Sequence, residues 1–435
     1  MPEAAGTLKE SAPGPATADG AQLGDEARLT LVELSVTPDG NEFIVGDRWR
    51  GEFVSLPAIA LVIIDAIRAG KTLGEAGAIA HDHNGEDVDV LDFASTLIAL
   101  GFVTEIDGIP VANGEGPRLH DGGRLGERLA SLARPLFSRP AWVTYGTLFM
   151  ACLLVLILLP GYRPRAKQLF FLHNPLVSFA ILTIVDSIIV GSHELAHWLA
   201  ARVQGLPARI TISRRLYILV YQTDLTAVWS LPRRKRFGPL LAGMAFHTVL
   251  LTGLLAARMT AHAGLWHPPA MIARLLAALV LLVSTGLAFQ FFIFIRTDIY
   301  AVLAIGFGCL NLTRINHLLL KRALRPLSAS EARELEEAHP QDVRIASWYR
   351  WLYLAGLAFA SWYLIEFFVP WGVTIIVWIA AALTHTSPDQ PQFWETVIIG
   401  AIAISPFLLP FLMLARDRYQ RLRQHLSAAR DPSSL

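Results

Sequence analysis

Six runs of apolar residues, each about 20 long and therefore able to cross a hydrocarbon core, constrain this 435-residue chain more than any other feature. They lie near 141–160, 175–203, 237–257, 272–296, 349–368 and 393–415. Inside lipid every backbone polar group has to be paired within the protein, so uninterrupted apolar runs of this length mean helices. The expected fold is a mainly α polytopic membrane protein with about six transmembrane helices. Composition agrees, because 53% hydrophobic against 17% charged residues is too apolar for an ordinary soluble protein. A net charge of +1 provides no basic field, so no nucleic acid partner is expected. Cys152 and Cys309 both lie in apolar stretches, which argues against a disulfide framework and against a thiolate metal site.

Charge sets the expected orientation. Arginine and lysine crowd the stretch before Trp142, the stretches 202–236 and 314–350, and the tail after Ala415. The connections 259–271 and 386–392 carry none, and only the 160–174 loop, with three, runs against the pattern. Six spans with both termini cytoplasmic meet nearly all of this. A shorter apolar run at 371–385 follows Pro370. A seventh crossing there would put the basic tail outside, so the run is expected to be interfacial or re-entrant.

Ahead of the spans, residues 1–27 are polar and rich in Ala, Gly and Pro, without the basic start and apolar core of a signal peptide. They read as a disordered cytoplasmic tail. Residues 28–110 alternate β-rich runs, "LTLVELSV", "NEFIVGDRW" and "GEFVSL", with three helical patterns and a closing hairpin that turns at Asp107-Gly108. Thr72 and Glu75 have capping-box spacing at the start of the second helix. Together these predict a small α+β winged-helix domain. Its "GEFVSL…IIDAIRAGKTLGEAGAIA…VDVLDFASTLIALGFV" resembles the PqqD-like fold. That resemblance implies recognition of the leader peptide of a ribosomally made, modified peptide, which adds as a strand to the edge of the small sheet. A winged helix used only for docking or regulation is the alternative. DNA reading is disfavoured, because "DVDVLDFAS" is acidic where a reading helix would be basic. A Gly- and Arg-rich linker, 111–140, leads to the membrane part.

The second span ends in "GSHELAHWLAARVQG", placing two histidines and a glutamate in a lipid-length segment. Ionisable residues there are costly, on the order of 3 kcal/mol each at the centre of a span, and usually mark function. His193 and His197 are four apart and share a helix face, with Glu194 beside them. This is the HExxH arrangement, in which two imidazoles hold zinc and the glutamate activates water. The bland alternative is a hydrogen-bonded cluster at a helix end. Catalytic zinc takes three protein ligands and leaves one position open. The third is expected near the cytoplasmic end of another span, and "FQFFIFIRTDIYAVLA" supplies Asp298 at matching depth. Asp298 acting only as a helix cap or as a partner of Arg296 is the competing reading. Asp186, seven residues before His193, suits a water path or a supporting contact, and His247 lies in the third core span within reach of the cavity. For both, plain interhelical hydrogen bonding is equally open.

"HELAH" on one span and "TDIY" ending the span two further on resemble the site-2 protease family of intramembrane zinc metalloproteases, over roughly residues 170–310. Between them lie the strand-like "ARITISRRLYILVYQTDLTAVWSL" and "FGPLLAGMAF", which is similar to the family's third core span. The resemblance implies His193, His197 and Asp298 as Zn2+ ligands and Glu194 as general base. Many members carry Asp-Gly where this chain has Asp298-Ile299, which bears on the local backbone. The protease core is expected at 141–310, with a cytoplasmic loop and further spans at 311–435. The expected protein is a multi-pass zinc metalloendopeptidase of a bacterial cell membrane. Its expected partners are the bilayer, a leader peptide, and a precursor peptide or single-span membrane protein as substrate. A site-2-type protease acting on a membrane-tethered regulator, or a catalytically inactive zinc-containing peptide receptor or immunity protein, are the alternatives. The intact Glu194 argues against the last of these. An iron-dependent membrane oxidase would need several histidine boxes, and the chain has one.

Overall fold

The structure is a computed structural model that describes residues 23–40, 42–85, 87–111, 123–216, 218–309 and 311–428. Most of the expected tail and the first part of the linker lie outside the described residues.

The N-terminal α+β domain contains β1 (Leu29–Leu31), β2 (Ser35–Asp39), β3 (Glu42–Asp47), β4 (Glu52–Leu56), α1 (Ala58–Arg68), α2 (Leu73–Asn84), α3 (Val90–Ala99), β5 (Val103–Ile106) and β6 (Ile109–Pro110). The run "LTLVELSV" divides between two sheets: β1 pairs with β5 of the closing hairpin, whereas β2 pairs with β3. Helix α2 starts in a full capping box between Thr72 and Glu75 and stops at Gly85, whose left-handed backbone (φ +71) suits glycine. Asp89 caps α3 by accepting from the Asp92 N–H. The amphipathic faces of the helices close over Ile63, Ile64, Leu97, Phe102 and Ile106, all of them buried.

Next come α4 (Gly123–Ala133), α5 (Arg139–Leu158), α6 (Pro175–Val203), β7 (Arg209–Arg215), β8 (Ile218–Asp224), α7 (Arg233–His262), α8 (Ala270–Phe289), α9 (Asp298–Phe307), α10 (Leu312–Leu324), α11 (Ala329–Glu336), α12 (Pro340–Tyr363), α13 (Val369–Leu383) and α14 (Pro391–Ala428). Among the described residues, six helical stretches are long and apolar enough to cross a membrane: α5, α6, α7, α8, the continuous α12–α13 stretch, and α14 as far as Gln420; α9 and α10, bent by 90°, would make a seventh if taken as one span. Helix α7 is the central one, with 56% of its apolar stretch buried, whereas α5 has 6% buried and leaves Val143, Leu154, Ile157 and Leu158 exposed. Exposed apolar side chains in such number need an apolar surrounding.

Two features differ from the sequence reading. The fourth span ends at Phe289, and Asp298 lies beyond it as the first residue of α9. Gln290 bridges the gap, since its backbone carbonyl accepts from the Thr297 hydroxyl (2.6 Å) and its side chain accepts from the Asp298 N–H (3.2 Å). The run after Pro370 is no separate segment. A π turn over Leu364–Phe368 joins α12 to α13 in one 44-residue helix, and its wider turn tolerates the N–H that Pro370 lacks. Ile375 of α13 packs with Leu176 and Ala180 at the start of α6, while Ile345 and Ala346 of α12 pack with α10. The long helix therefore runs from the α10 end of the bundle to the opposite end and counts as one of the six candidate stretches.

The N-terminal domain rests directly on the core. Ile44 and Phe53 are buried together with Leu206, Val228 and Trp229, beside the short 3-10 turn Thr226–Ser230. The Thr37 hydroxyl donates to Ser230 O (2.9 Å), and Asp39 Oδ2 accepts from the guanidinium of Arg236 (2.6 Å). Arg236 is fully buried at the start of α7, donates also to Leu231 O (2.8 Å), and lies over the Trp229 ring. The domain thus sits at the end of the core that carries β7, β8 and the cluster of His193, His197 and Asp298.

Candidate metal centre

Asn174 starts α6 by accepting from the Leu176 and Val177 N–H groups, and Pro175 occupies the first turn, where its missing N–H costs nothing. His193 lies roughly 27 Å further along the helix axis. His193, Glu194 and His197 are all buried. Three ligand-type atoms converge at this level: His193 Nε2, His197 Nε2 and Asp298 Oδ2, each 3.0 Å from the other two. The structure therefore brings Asp298 to both histidines, although its carboxylate arrives from α9. It caps no helix there, and Thr297 precedes it as the N-terminal flank of α9. Ile299 lies in the first helical turn of α9, so this position needs no glycine. The left-handed residue is Arg296, at φ +59.

Hydrogen bonding determines what such a triangle can hold. His197 Nδ1 lies 2.7 Å from Pro239 O, and a carbonyl only accepts, so Nδ1 carries the proton. In the neutral ring Nε2 then presents a bare lone pair to a carboxylate oxygen and to a second imidazole nitrogen. Three electron-rich atoms 3.0 Å apart repel one another unless a cation lies among them. Two imidazoles and one carboxylate suit a divalent ion. Bonds of about 2.0–2.1 Å at tetrahedral angles would space the ligand atoms ~3.4 Å apart, a few tenths more than observed. Among the described residues this is the one group of histidine, cysteine or acidic side chains whose ligand atoms meet this way.

Room for the two rings comes from Gly243 on α7. A Cβ at that position would stand 2.5 Å from His197 Nε2 and would collide with the His193 ring. Proline 239 stands one turn earlier, inside α7, where its carbonyl receives His197.

Glu194 is held by the hairpin β7–β8. Its Oε2 accepts from the Thr223 N–H (2.6 Å), and the Thr223 hydroxyl lies 2.7 Å from the same oxygen. Glu194 Oε1 has no hydrogen bond among the described residues, which leaves it open to a further proton donor. The hairpin itself is regular, pairing Arg209 with Asp224 through to Arg215 with Ile218. Asp186 stays apart. Its side chain is exposed, about 10 Å above His193 along α6. His247, by contrast, is buried with Nδ1 3.0 Å from His193 Nδ1.

No protein-family model, curated protein or solved structure matches the chain. The reading of the site therefore rests on its own chemistry. Sequence reasoning missed Thr223, Pro239 and Gly243 as parts of it. The glycine and proline of "FGPLLAGMAF" were the one available signal for α7. Thr223 had none, because only the register of the hairpin brings it to Glu194.

Proposed function

We propose that the chain is an intramembrane zinc metalloprotease that hydrolyses a peptide bond in a membrane-associated or precursor peptide. The observation that carries the reading is the triangle of His193, His197 and Asp298 beside a buried glutamate that Thr223 holds by one carboxylate oxygen. Zinc held by His193 Nε2, His197 Nε2 and Asp298 Oδ2 would supply Lewis acidity at the scissile carbonyl and at the attacking water.

The protein's own groups account for the rest. Thr223 occupies Oε2 of Glu194, so the carboxylate cannot rotate freely, and Oε1 is the atom that accepts the water's proton and returns it to the leaving amine. Pro239 O holds the His197 tautomer. A substrate helix has its own backbone bonds closed and must unwind before it can be cut. Strand β8 lies beside α6 and ends at the base, which suits it to receive an extended segment.

The basic loops assign both termini to the cytoplasmic side, with α5, α6, α7, α8, α12–α13 and α14 as the spans. On this reading the N-terminal domain is a PqqD-like winged helix that captures a leader peptide. Its β2 turns toward the core, whereas β4, the other edge of that sheet, pairs with β3 alone among the described residues. The open edge is the place for an added strand, and the service would be maturation of a ribosomally made peptide. Acting on a membrane-tethered regulator would use the same site.

The test uses purified full-length protein in detergent, metal analysis, and a panel of single-span and leader-bearing peptides read by mass spectrometry. About one zinc per chain is expected, lost on His193→Ala or His197→Ala. Glu194→Gln is expected to keep the metal while cleavage falls by roughly 10²- to 10⁴-fold. A protein that binds no zinc, or a Glu194→Gln variant that cuts like the parent, would overturn the reading.

A further inference from the structure

His247 lies against the centre but is not one of its three ligand-type residues. It is 3% exposed in α7, with the His193 ring of α6 at 4.7 Å and the Phe246 ring beside it. A polar side chain in such surroundings is expected to have a hydrogen-bond partner. The one polar contact it makes among the described residues is Nδ1 to His193 Nδ1, at 3.0 Å. Gly286 of α8 makes room on the far side, where a Cβ would stand 3.3 Å from His247 Cε1. The ring is therefore confined between two helices with Nδ1 aimed at His193.

The proton count defines the contact. If His193 turns Nε2 to the cluster as a lone pair, its proton lies on Nδ1, and that N–H donates to His247 Nδ1. His247 then keeps its own proton on Nε2 and acts as an acceptor. The same logic applies at His197, whose Nδ1–H donates to Pro239 O. Pro239, Gly243 and His247 follow one another at four-residue spacing along α7. They form a carbonyl, a gap and an imidazole, set against His197, the ligand triangle and His193 of antiparallel α6. A metal-bound imidazole usually donates its second N–H to such an acceptor, which locks both tautomer and ring angle.

We propose that His247 is a positioning residue that orients His193 for metal binding by accepting its Nδ1–H. The proposal rests on the metal-centre reading and needs no substrate to test. Full-length protein in detergent is titrated with Co2+ against a chelator, following both affinity and the visible absorption of the bound ion. His247→Phe removes the acceptor while filling the space, and should weaken Co2+ binding about 10- to 100-fold and alter the spectrum. His247→Asn places an amide oxygen near the position of Nδ1, and should recover affinity to within a few fold. If phenylalanine prevents folding, His247→Leu removes the acceptor in a smaller volume and carries the same expectation.

The outcomes separate cleanly. Weak binding by the apolar variant with recovery by asparagine supports the proposal. Equal Co2+ affinity in wild type and the apolar variant overturns it and leaves the metal centre standing. Equal weakening by the apolar variant and by asparagine also overturns it, because packing alone would then explain the loss. A wild-type protein without Co2+ affinity overturns the metal-centre reading, and this proposal with it.

Discussion

Removing the carboxylate of Asp39 should detach the N-terminal domain from the core, because it leaves Arg236 buried without its counter-charge. The Arg236 side chain is 0% exposed and that of Asp39 13%, with 2.6 Å between the paired atoms. Breaking a buried pair on one side typically costs about 3–5 kcal/mol. Two features reduce that cost. Arg236 keeps its bond to Leu231 O and its place over Trp229, and the slight exposure of Asp39 lets water approach the vacated side. About 2–4 kcal/mol remains for Asp39→Ala, equivalent to roughly 30- to 1000-fold in the undocking equilibrium. Asp39→Asn keeps an oxygen acceptor and should fall between this and wild type.

Hydrogen exchange read at β2, β3 and the 226–230 turn would measure the effect. These segments face each other across the contact, through Thr37 and Ser230. Exchange in them should rise by that factor, while the α1–α3 core, built around Ile63 and Phe102, stays protected. A double variant, Asp39→Ala with Arg236→Met, should recover much of the protection, since a charge no longer has to be satisfied in an apolar site. Exchange within threefold of wild type in Asp39→Ala would refute the reasoning. So would a double variant no better than the single one, because the loss would then not come from an unpaired charge.

Gly243→Ala should lower metal affinity about 5- to 150-fold, the cost of ~1–3 kcal/mol typical of overpacking, because its Cβ would enter the space of the His193 and His197 rings. Competition titration checks this, and unchanged affinity would mean that the helices separate at little cost. Thr223→Val removes the hydroxyl but keeps the N–H at Glu194, so cleavage should fall by roughly 10-fold with metal content unchanged; Thr223→Ser should restore it. A topology reporter fused after Arg430 should read cytoplasmic and one within 384–392 extracytoplasmic. A tail found outside would overturn the reading of α12–α13 as one crossing, because 371–385 would then have to span separately.

What could be read from sequence was whatever repeats with a fixed local period. Apolar run length marked the helices, because a 1.5 Å rise makes about 20 residues span the hydrocarbon core. The capping box at Thr72 and Glu75 and the shared face of His193 and His197 follow from the geometry of one helix, and neither needs a neighbour. Asp298 was legible through depth, although the helix it was assigned to ends at Phe289, since apolar composition runs on through "FFIFI" after the hydrogen-bonded helix has stopped. Pro370 looked like a break because the pattern does not reveal a π turn that tolerates it.

Only the tertiary structure decided the partners. Thr223 meets Glu194 across 29 positions, His247 meets His193 across 54, and Arg236 meets Asp39 across 197. Each depends on the register of one element against another, which is set by side-chain packing along whole faces. Sliding α7 by one turn against α6 would leave every hydrophobic pattern intact, yet move Gly243 away from the two rings. The sequence by itself therefore determined which atoms were available for a metal centre. The packing of α6, α7, α9 and the hairpin determined which of them face one another.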